Sequence, residues 1–326
     1  MGSGQLGLML SVSRLVAPCY RVAFLASGLS SGWLKALSSG PQPVEVLQSG
    51  ADPSMLDGLQ AWLRLGVILG ELRAGAKGYS LRGSLARKLI DPGNDAAAAL
   101  LEETATLDMA VIERTPSRLR QGLPFTLAEQ DARLIARASR FAEPFICEAV
   151  DEVISTHGAI ALLEIGCGAA AYIRHAAMRN PQLSALGLEL QAGAANLARE
   201  NVAAWNLTSR VTIEVGDIML RRPEPLFDVA TLHQNIYYFP VGNRVAVLRH
   251  VRSFLKPGGR LLLTTWCQGK GLGSGLLDLW GAMTQDAGRL PKRPEMLAQL
   301  REAGYADVTH CSLIPGESFY SFLSAT

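Results

Sequence analysis

The chain has 326 residues, 48% of them hydrophobic and 18% charged, with a formal net charge of +2. That length and balance suit a soluble globular protein with room for two domains and a substantial core, and the small charge argues neither for nor against a nucleic-acid partner. The five cysteines (Cys19, Cys147, Cys167, Cys267 and Cys311) are scattered without CxxC or Cys/His ligand spacing, an odd, dispersed set that suggests a reducing compartment and no structural zinc or disulfide frame.

The N-terminal stretch Leu6–Leu29 is strongly apolar, but Arg14 and Arg21 interrupt it. No uncharged run there approaches the ~20 residues of a spanning helix, so it reads as one or two helices with a large apolar face in a cytoplasmic protein. Tyr20–Leu29 and Gly32–Leu37 have helical spacing, Pro41 and Pro43 break the chain, and Pro43–Gln48 opens a short helix. Asp52 followed by Pro53 is an N-cap and first-turn proline for a helix over Ser54–Leu65. Val67–Leu72 and Gly78–Leu81 read as strands joined by a turn at Ala74–Lys77. Three helices and a hairpin predict a winged helix. Its third helix carries Asp57, a single Arg64 and apolar residues nearly all round. It has almost none of the cationic and amide side chains that reach phosphates and base edges, so it predicts packing against protein rather than DNA.

An alanine-rich helix is expected over Asp95–Arg114, ended by Pro116. After Pro124 a long helical stretch runs from Thr126 towards Ser155, with a kink or break at Pro144, and lies near the mouth of the site described next. The expected organisation is a helical domain over 1–122, a connecting helix over 123–157 and an α/β domain over 158–326.

Beyond Ala159, short apolar strands alternate with helical stretches, the pattern of a parallel sheet covered on both faces. Strands are expected at Ala161–Ile165, Ser184–Glu189, Val211–Val215, Phe227–Leu232 and Arg260–Trp266. Two more, Ala306–Leu313 and Ser318–Ser324, flank Pro315-Gly316, a turn too tight for a helical crossover, so the last pair is antiparallel. In Ala159–Tyr172 an apolar run breaks abruptly into Gly166 and Gly168, a strand feeding a tight turn and a helix. Such a turn lets a ligand approach the backbone, and the amides after it suit a polar or anionic group. Glu189 ends the second strand, where a carboxylate can take both ribose hydroxyls or simply face solvent. Asp217, after Gly216, ends the third strand, where it can accept from an adenine amino group or serve only as a turn residue. Leu190 and Ile218 are placed to sandwich the ring.

Together, Glu164-x-Gly166-x-Gly168, Glu189, Gly216-Asp217, Phe227-Asp228-Val229-Ala230 and Leu255-Lys256-Pro257-Gly258-Gly259 resemble the motifs of S-adenosylmethionine-dependent methyltransferases with the Rossmann-like fold. With the winged-helix front end, residues 20–326 look like the small-molecule methyltransferases that include plant and bacterial O-methyltransferases. The resemblance implies a seven-stranded sheet with an antiparallel last strand, and S-adenosylmethionine as cofactor. It implies that Glu164, Gly166 and Gly168 hold the methionine end, Glu189 the ribose, and Asp217 with Leu190 and Ile218 the adenine. His233 and Gln234 would run beneath the ribose and sulfonium. One departure is Ala170, where the family has a third glycine. A dinucleotide is the rival cofactor, since Gly166-x-Gly168-x-x-Ala171 fits a loose GxGxxG/A pattern. Glu164, Gly216-Asp217 and the antiparallel closing pair oppose it.

The catalytic histidine that the plant O-methyltransferases carry beyond the fifth strand has no counterpart in Cys267–Gly281. His233 is the candidate base, with a cofactor-lining or packed role as the alternative. Tyr237, Tyr238, Phe239 and Trp266 offer an apolar wall for an aromatic acceptor, or only core. Tyr172 and Arg174 could touch the cofactor, and Gly269–Gly275 could hinge a lid. The expected function is methylation of a small molecule. The alternatives are a catalytically silent cofactor-binding regulator and a nucleic-acid methyltransferase. The apolar front end predicts a homodimer joined by residues before about Asp91, with no membrane or nucleic-acid partner.

Overall fold

A computed structural model describes residues 3–48 and 52–326. The chain forms two compact units, Met1–Ala110 with Gln130–Phe141, and Val111–Glu129 with Ala142–Thr326.

The first unit is mostly helical. It contains α1 (Ser3–Ser30), α2 (Trp33–Ala36), α3 (Val44–Leu47), α4 (Leu56–Ile68), a hairpin of β1 (Leu72–Gly75) and β2 (Gly78–Leu81), α5 (Ser84–Leu89) and α6 (Asp95–Glu103). A π-helical turn over Thr104–Asp108 leads into α7 (Met109–Gln121), and α8 (Ala132–Ser139) returns to this unit. The apolar N-terminus is one continuous helix with Pro18 inside it, and only its later part is packed, through Phe24, Leu25 and Ala26. Phe24 stacks on Trp62 with centroids 4.2 Å apart, and Trp33 meets Trp62 edge-on at 4.9 Å.

Three local expectations are corrected. Val67 and Ile68 extend α4 rather than starting a strand. Leu59, Leu63 and Gly66 already set a helical face there, and Gly70 at φ +78° reverses the chain so that pairing begins only at Leu72. Pro116 does not end its helix, which continues to Gln121 and stops before Gly122 at φ +67°. The stretch from Thr126 towards Ser155 is not one helix. Asp131 caps α8 by accepting the Arg133 and Leu134 amides at 3.0 Å, and a 3-10 turn follows at Arg140–Ala142. Pro144 then sits in the first turn of α9 (Glu143–Val153), where its missing N–H costs nothing, so it opens a helix instead of bending one. On α8, Arg137 pairs with Asp95 at 2.6 Å and Glu102 at 3.4 Å, fastening it to α6.

The second unit alternates β3 (Ile160–Ile165), α10 (Ala171–Arg179), β4 (Leu183–Glu189), α11 (Ala192–Ala204), β5 (Val211–Val215), β6 (Phe227–His233), α12 (Arg244–Arg252) and β7 (Leu255–Trp266). It closes with α13 (Leu272–Met283), α14 (Arg293–Glu302), β8 (Ala306–Ser312) and β9 (Phe319–Ala325). The seven strands lie in the order β5-β4-β3-β6-β7-β9-β8. The first five are parallel, whereas β9 is antiparallel to both β7 and β8. This is the expected α/β sheet. It reverses direction of growth between β3 and β6, the position where open α/β sheets bind ligands at the carboxyl ends of their strands. Apolar layers cover both faces. Leu162, Val229 and Leu262 pack with α9, α10 and α11 on one side, and Leu163, Ala230, Leu261 and Leu263 pack with α12 and α14 on the other.

Candidate functional site

The end of β3 is where a polar line replaces the apolar layer. Glu164 lies opposite Thr231 in the pairing of β3 with β6, and His233 lies opposite Thr264 in the pairing of β6 with β7. Alternation along a strand puts Glu164, Thr231, His233 and Thr264 on the face that Leu162, Val229 and Leu262 fill lower down. All four are buried. A sheet face so placed tolerates polar groups only where they find partners, yet Glu164 Oε2, Thr231 Oγ1 and His233 Nε2 have none within the protein. Burial and the neighbouring Glu189 charge hold the Glu164 carboxyl well above the usual glutamic range. Burial pushes the His233 imidazole down to about 3, while its Nδ1 lies 3.0 Å from Thr264 Oγ1. Tyr172, on α10, covers His233 with ring centroids 4.7 Å apart, and burial pushes its phenol up.

The glycine turn after β3 is built for close approach. Gly166 is left-handed at φ +68°, and a Cβ there would lie 2.8 Å from Asn235 Nδ2. Gly168, at φ +52°, faces open space. Ala170 adopts φ +64° although it is not glycine, so the position the family fills with glycine keeps the glycine conformation. Several amides of the turn itself are tied up, whereas the opening of α10 has no side-chain cap. Gly166 and Cys167 both donate to the Leu188 carbonyl, at 2.8 and 3.1 Å, and Ala170 donates to Cys167 O at 2.8 Å. The Gly168 amide donates to Glu189 Oε2 at 2.9 Å. From outside, the Asn235 side chain reaches the turn with its Nδ2 nearest to Gly166. Asn235, which the sequence reading did not single out, donates from Nδ2 to the Ile165 carbonyl at 2.5 Å and leaves Oδ1 buried without a partner. No pattern in the sequence marks it, because its role depends on β6 lying beside β3.

The other expected residues fall along the same edge. Glu189 ends β4, accepting Gly168 N–H with one oxygen and Gln191 N–H with the other. Asp217 caps the short turn Ile218–Leu220 through Met219 N–H at 2.9 Å. Leu190 is exposed, whereas Ile218 is packed among Leu188, Ile165 and Leu232. Gln234 takes φ +53°, its amide donates to Thr264 O at 2.7 Å, and its Oε1 accepts from Trp266 Nε1 at 3.3 Å. Arg174 points to solvent and stacks over Trp205 at 4.8 Å. Tyr237 and Tyr238 join Trp280 of α13, with centroids 6.3 and 5.5 Å away. Trp280 had no local signal. Phe239 packs instead into the layer beneath β6 and β7. The glycines of 269–275 have a packing reason: α13 begins among them at Leu272, and a Cβ on Gly269 or Gly271 would overlap Ser318 or Glu317.

Two motif residues prove to be fasteners. Asp228 accepts the Ala161 amide and the Lys256 ammonium, both at 2.8 Å, tying the starts of β3 and β6 to the turn before Gly258 and Gly259. Against the cost of burial, Lys256 and that amide keep its carboxyl below the usual range.

This arrangement is that of an α/β protein with buried, unpartnered acceptors at the switch between β3 and β6. Residues 163–261 match the family model described as "Methyltransferase domain". Among solved structures, the mitomycin 7-O-methyltransferase MmcR is 18% identical with a TM-score of 0.81, the match covering 99% of each chain. An O-methyltransferase family protein from Burkholderia thailandensis is 20% identical with a TM-score of 0.78, covering 97% of each. Human N-acetylserotonin methyltransferase, solved with SAM, is 17% identical with a TM-score of 0.71, covering 100% of this chain and 99% of that one. The whole chain therefore has the fold of these methyltransferases. No curated protein matches it.

Proposed function

We propose that the chain is an S-adenosylmethionine-dependent methyltransferase acting on a small, flat acceptor, with O-methylation the favoured outcome. One observation carries this reading. Beside the glycine turn, Glu164 Oε2 and Asn235 Oδ1 are buried acceptors without a donor, and a buried carboxyl there suits the cationic methionine end of this cofactor better than a pyrophosphate. The match to a methyltransferase domain over 163–261 supports it independently.

In this reading Glu164, Gly166 and Gly168 hold the methionine end, Glu189 the ribose, and Asp217 with Leu190 the adenine. Bound S-adenosylmethionine supplies the methyl group on a positively charged sulfur, so transfer neutralises charge and is helped by a dry, oriented pocket. Tyr237, Tyr238 and Trp280 form an edge-on aromatic surface for the acceptor, and Gln234, braced by Trp266, sets the floor. His233 is neutral at working pH and too weak a base to hold an acceptor proton, so its Nε2 acts as a hydrogen-bond acceptor beneath the reactants. The acceptor then either arrives ionised or needs no base.

The three-helix and hairpin order of the first unit supports a winged helix used for pairing. The exposed Leu6, Leu8, Met9, Leu10 and Leu15 of α1 support a homodimer. Gln5–Ser30 is also long and apolar enough by composition to cross a membrane, but Arg14 and Arg21 lie within it, and we read it as a protein-facing helix of a cytoplasmic enzyme. The test is titration with S-adenosylhomocysteine, then a labelled-methyl screen over phenols, hydroxyquinones and keto acids. Saturable binding and a labelled product support the reading. Binding without any product would instead make the chain a silent cofactor-binding regulator.

A further inference from the structure

Among the described residues, no cation acts on Glu164. The titratable groups that face it are Glu189 from the end of β4, Cys167 in the glycine turn, Tyr172 from α10, Cys147 from α9 and His233 two residues on from its β6 neighbour. The first is an anion, and burial keeps the two thiols, the phenol and the imidazole uncharged near neutrality. A carboxylate in this setting would be a second negative charge out of water beside Glu189, which is unfavourable by several-fold more than keeping the proton. The acid form fits what is seen: Glu164 is buried to 1% exposure, and Oε2 accepts from nothing. One residue along, Asn235 Oδ1 is buried and unpartnered as well, with its Nδ2 pinned to Ile165 O so that the oxygen cannot swing away. Glu164, two residues before Gly166, and Asn235, whose Nδ2 lies against Gly166, therefore each carry a buried oxygen without a donor.

Resting on the cofactor reading above, we propose that docking of the cofactor's α-ammonium between Glu164 and Asn235 expels the Glu164 proton, so that cofactor binding releases a proton to solvent. The exchange balances: a neutral carboxylic acid and a free ammonium become a carboxylate–ammonium pair plus one aqueous proton. The bound ammonium donates to Glu164 Oε2 and Asn235 Oδ1, and the pair enters the site without net charge. Affinity for the cofactor then rises with pH until the free protein itself has lost the proton, and is level above that point. Asn235 becomes a binding residue of the site, its Oδ1 a second acceptor for the ammonium.

The experiment is calorimetric titration of the full-length chain with S-adenosylhomocysteine between pH 5.5 and 7 in MES and in bis-Tris, which both buffer there but differ in heat of ionisation. There the ligand's own amino group, titrating near 7.7–8.0 in model compounds, stays charged. The difference in observed enthalpy between the buffers counts protons. About one proton released per ligand, with affinity tightening up to about tenfold per pH unit, is expected. Glu164→Gln should bind more weakly, with no pH slope and no buffer dependence. Asn235→Ala should bind about tenfold more weakly or worse while still releasing the proton. Wild-type binding with equal enthalpies in both buffers and a flat pH profile overturns the inference and leaves the cofactor reading standing. No binding at any pH overturns the cofactor reading, and this inference with it. The wild-type proton count decides the matter even if a variant fails to fold.

Discussion

His233 and Glu164 lie on one buried face and are driven in opposite directions in proton affinity by the same cause, loss of water. The imidazole falls to about 3, so between that value and the ordinary 6.5 the unfolded chain binds a proton that the fold refuses. Its contribution to stability is therefore intact above pH 6.5 and is lost as pH falls towards 3. In the same way, a pH–rate profile should show no inflection from His233 between pH 6 and 8, and one that does would restore it as a base. Glu164 behaves inversely. The fold keeps its proton after the unfolded chain has ionised, so the stability it permits is complete below the ordinary glutamic range and falls as pH rises from there to its raised folded value. Glu164→Gln, which cannot ionise, should raise the melting temperature of the ligand-free protein at pH 7–8 while weakening S-adenosylhomocysteine. A lowered melting temperature at that pH would refute the buried-acid picture. For Glu189→Ala, loss of a carboxylate that already braces Gly168 and Gln191 should cost on the order of 1–3 kcal/mol of cofactor binding, measured by calorimetry.

The glycine turn is held as an element from beneath and from the side. Gly187 on β4 has no side chain because Ile213 Cδ1, Ile173 Cδ1 and Cys167 Sγ would lie 2.6, 2.8 and 2.9 Å from a Cβ. Gly187→Ala should therefore destabilise the fold by roughly 1–3 kcal/mol by overpacking, and also loosen the cofactor site through Cys167. Chemical denaturation would read the first effect and ligand titration the second. An unchanged midpoint would mean that the layer can yield there. Arg244, at the start of α12, is a comparable bolt. It is fully buried, donates to Phe239 O at 3.1 Å and Arg289 O at 2.6 Å, and burial lowers its guanidinium to about 10. Arg244→Ala strands both carbonyls and should cost about 3–5 kcal/mol, with Lys a poor substitute for the two-pronged contact.

For the whole molecule, the question is what α1 is for. Leu15 is 73% exposed, and the apolar side chains before it are exposed too, a surface that a monomer in water would not keep. Light scattering at micromolar concentration should return about twice the chain mass of 34.9 kDa, and removal of the residues before Tyr20 should return the monomer. A full-length monomer would reject the dimer, and recovery of the chain with vesicles would point to the membrane instead.

The strand positions, the helical front end and the glycine turn were legible because each rests on a local rule: alternation of short apolar runs with helices, proline and glycine punctuation, and carboxylates after the second and third strands. Local rules also misled. Pro116 and Pro144 both looked like interruptions, yet one sits inside a helix and the other starts one, since a missing amide matters only where a partner was waiting. By itself the sequence determined which residues could meet at the carboxyl edge of the sheet. Only the tertiary structure decided what they do there, because hydrogen-bond satisfaction and burial are properties of neighbours far apart in the chain. It took the Leu188 carbonyl and Glu189 to use up the turn's amides, Asn235 from the loop after β6 to add an acceptor, and the cover of Tyr172 to leave His233 too weak a base.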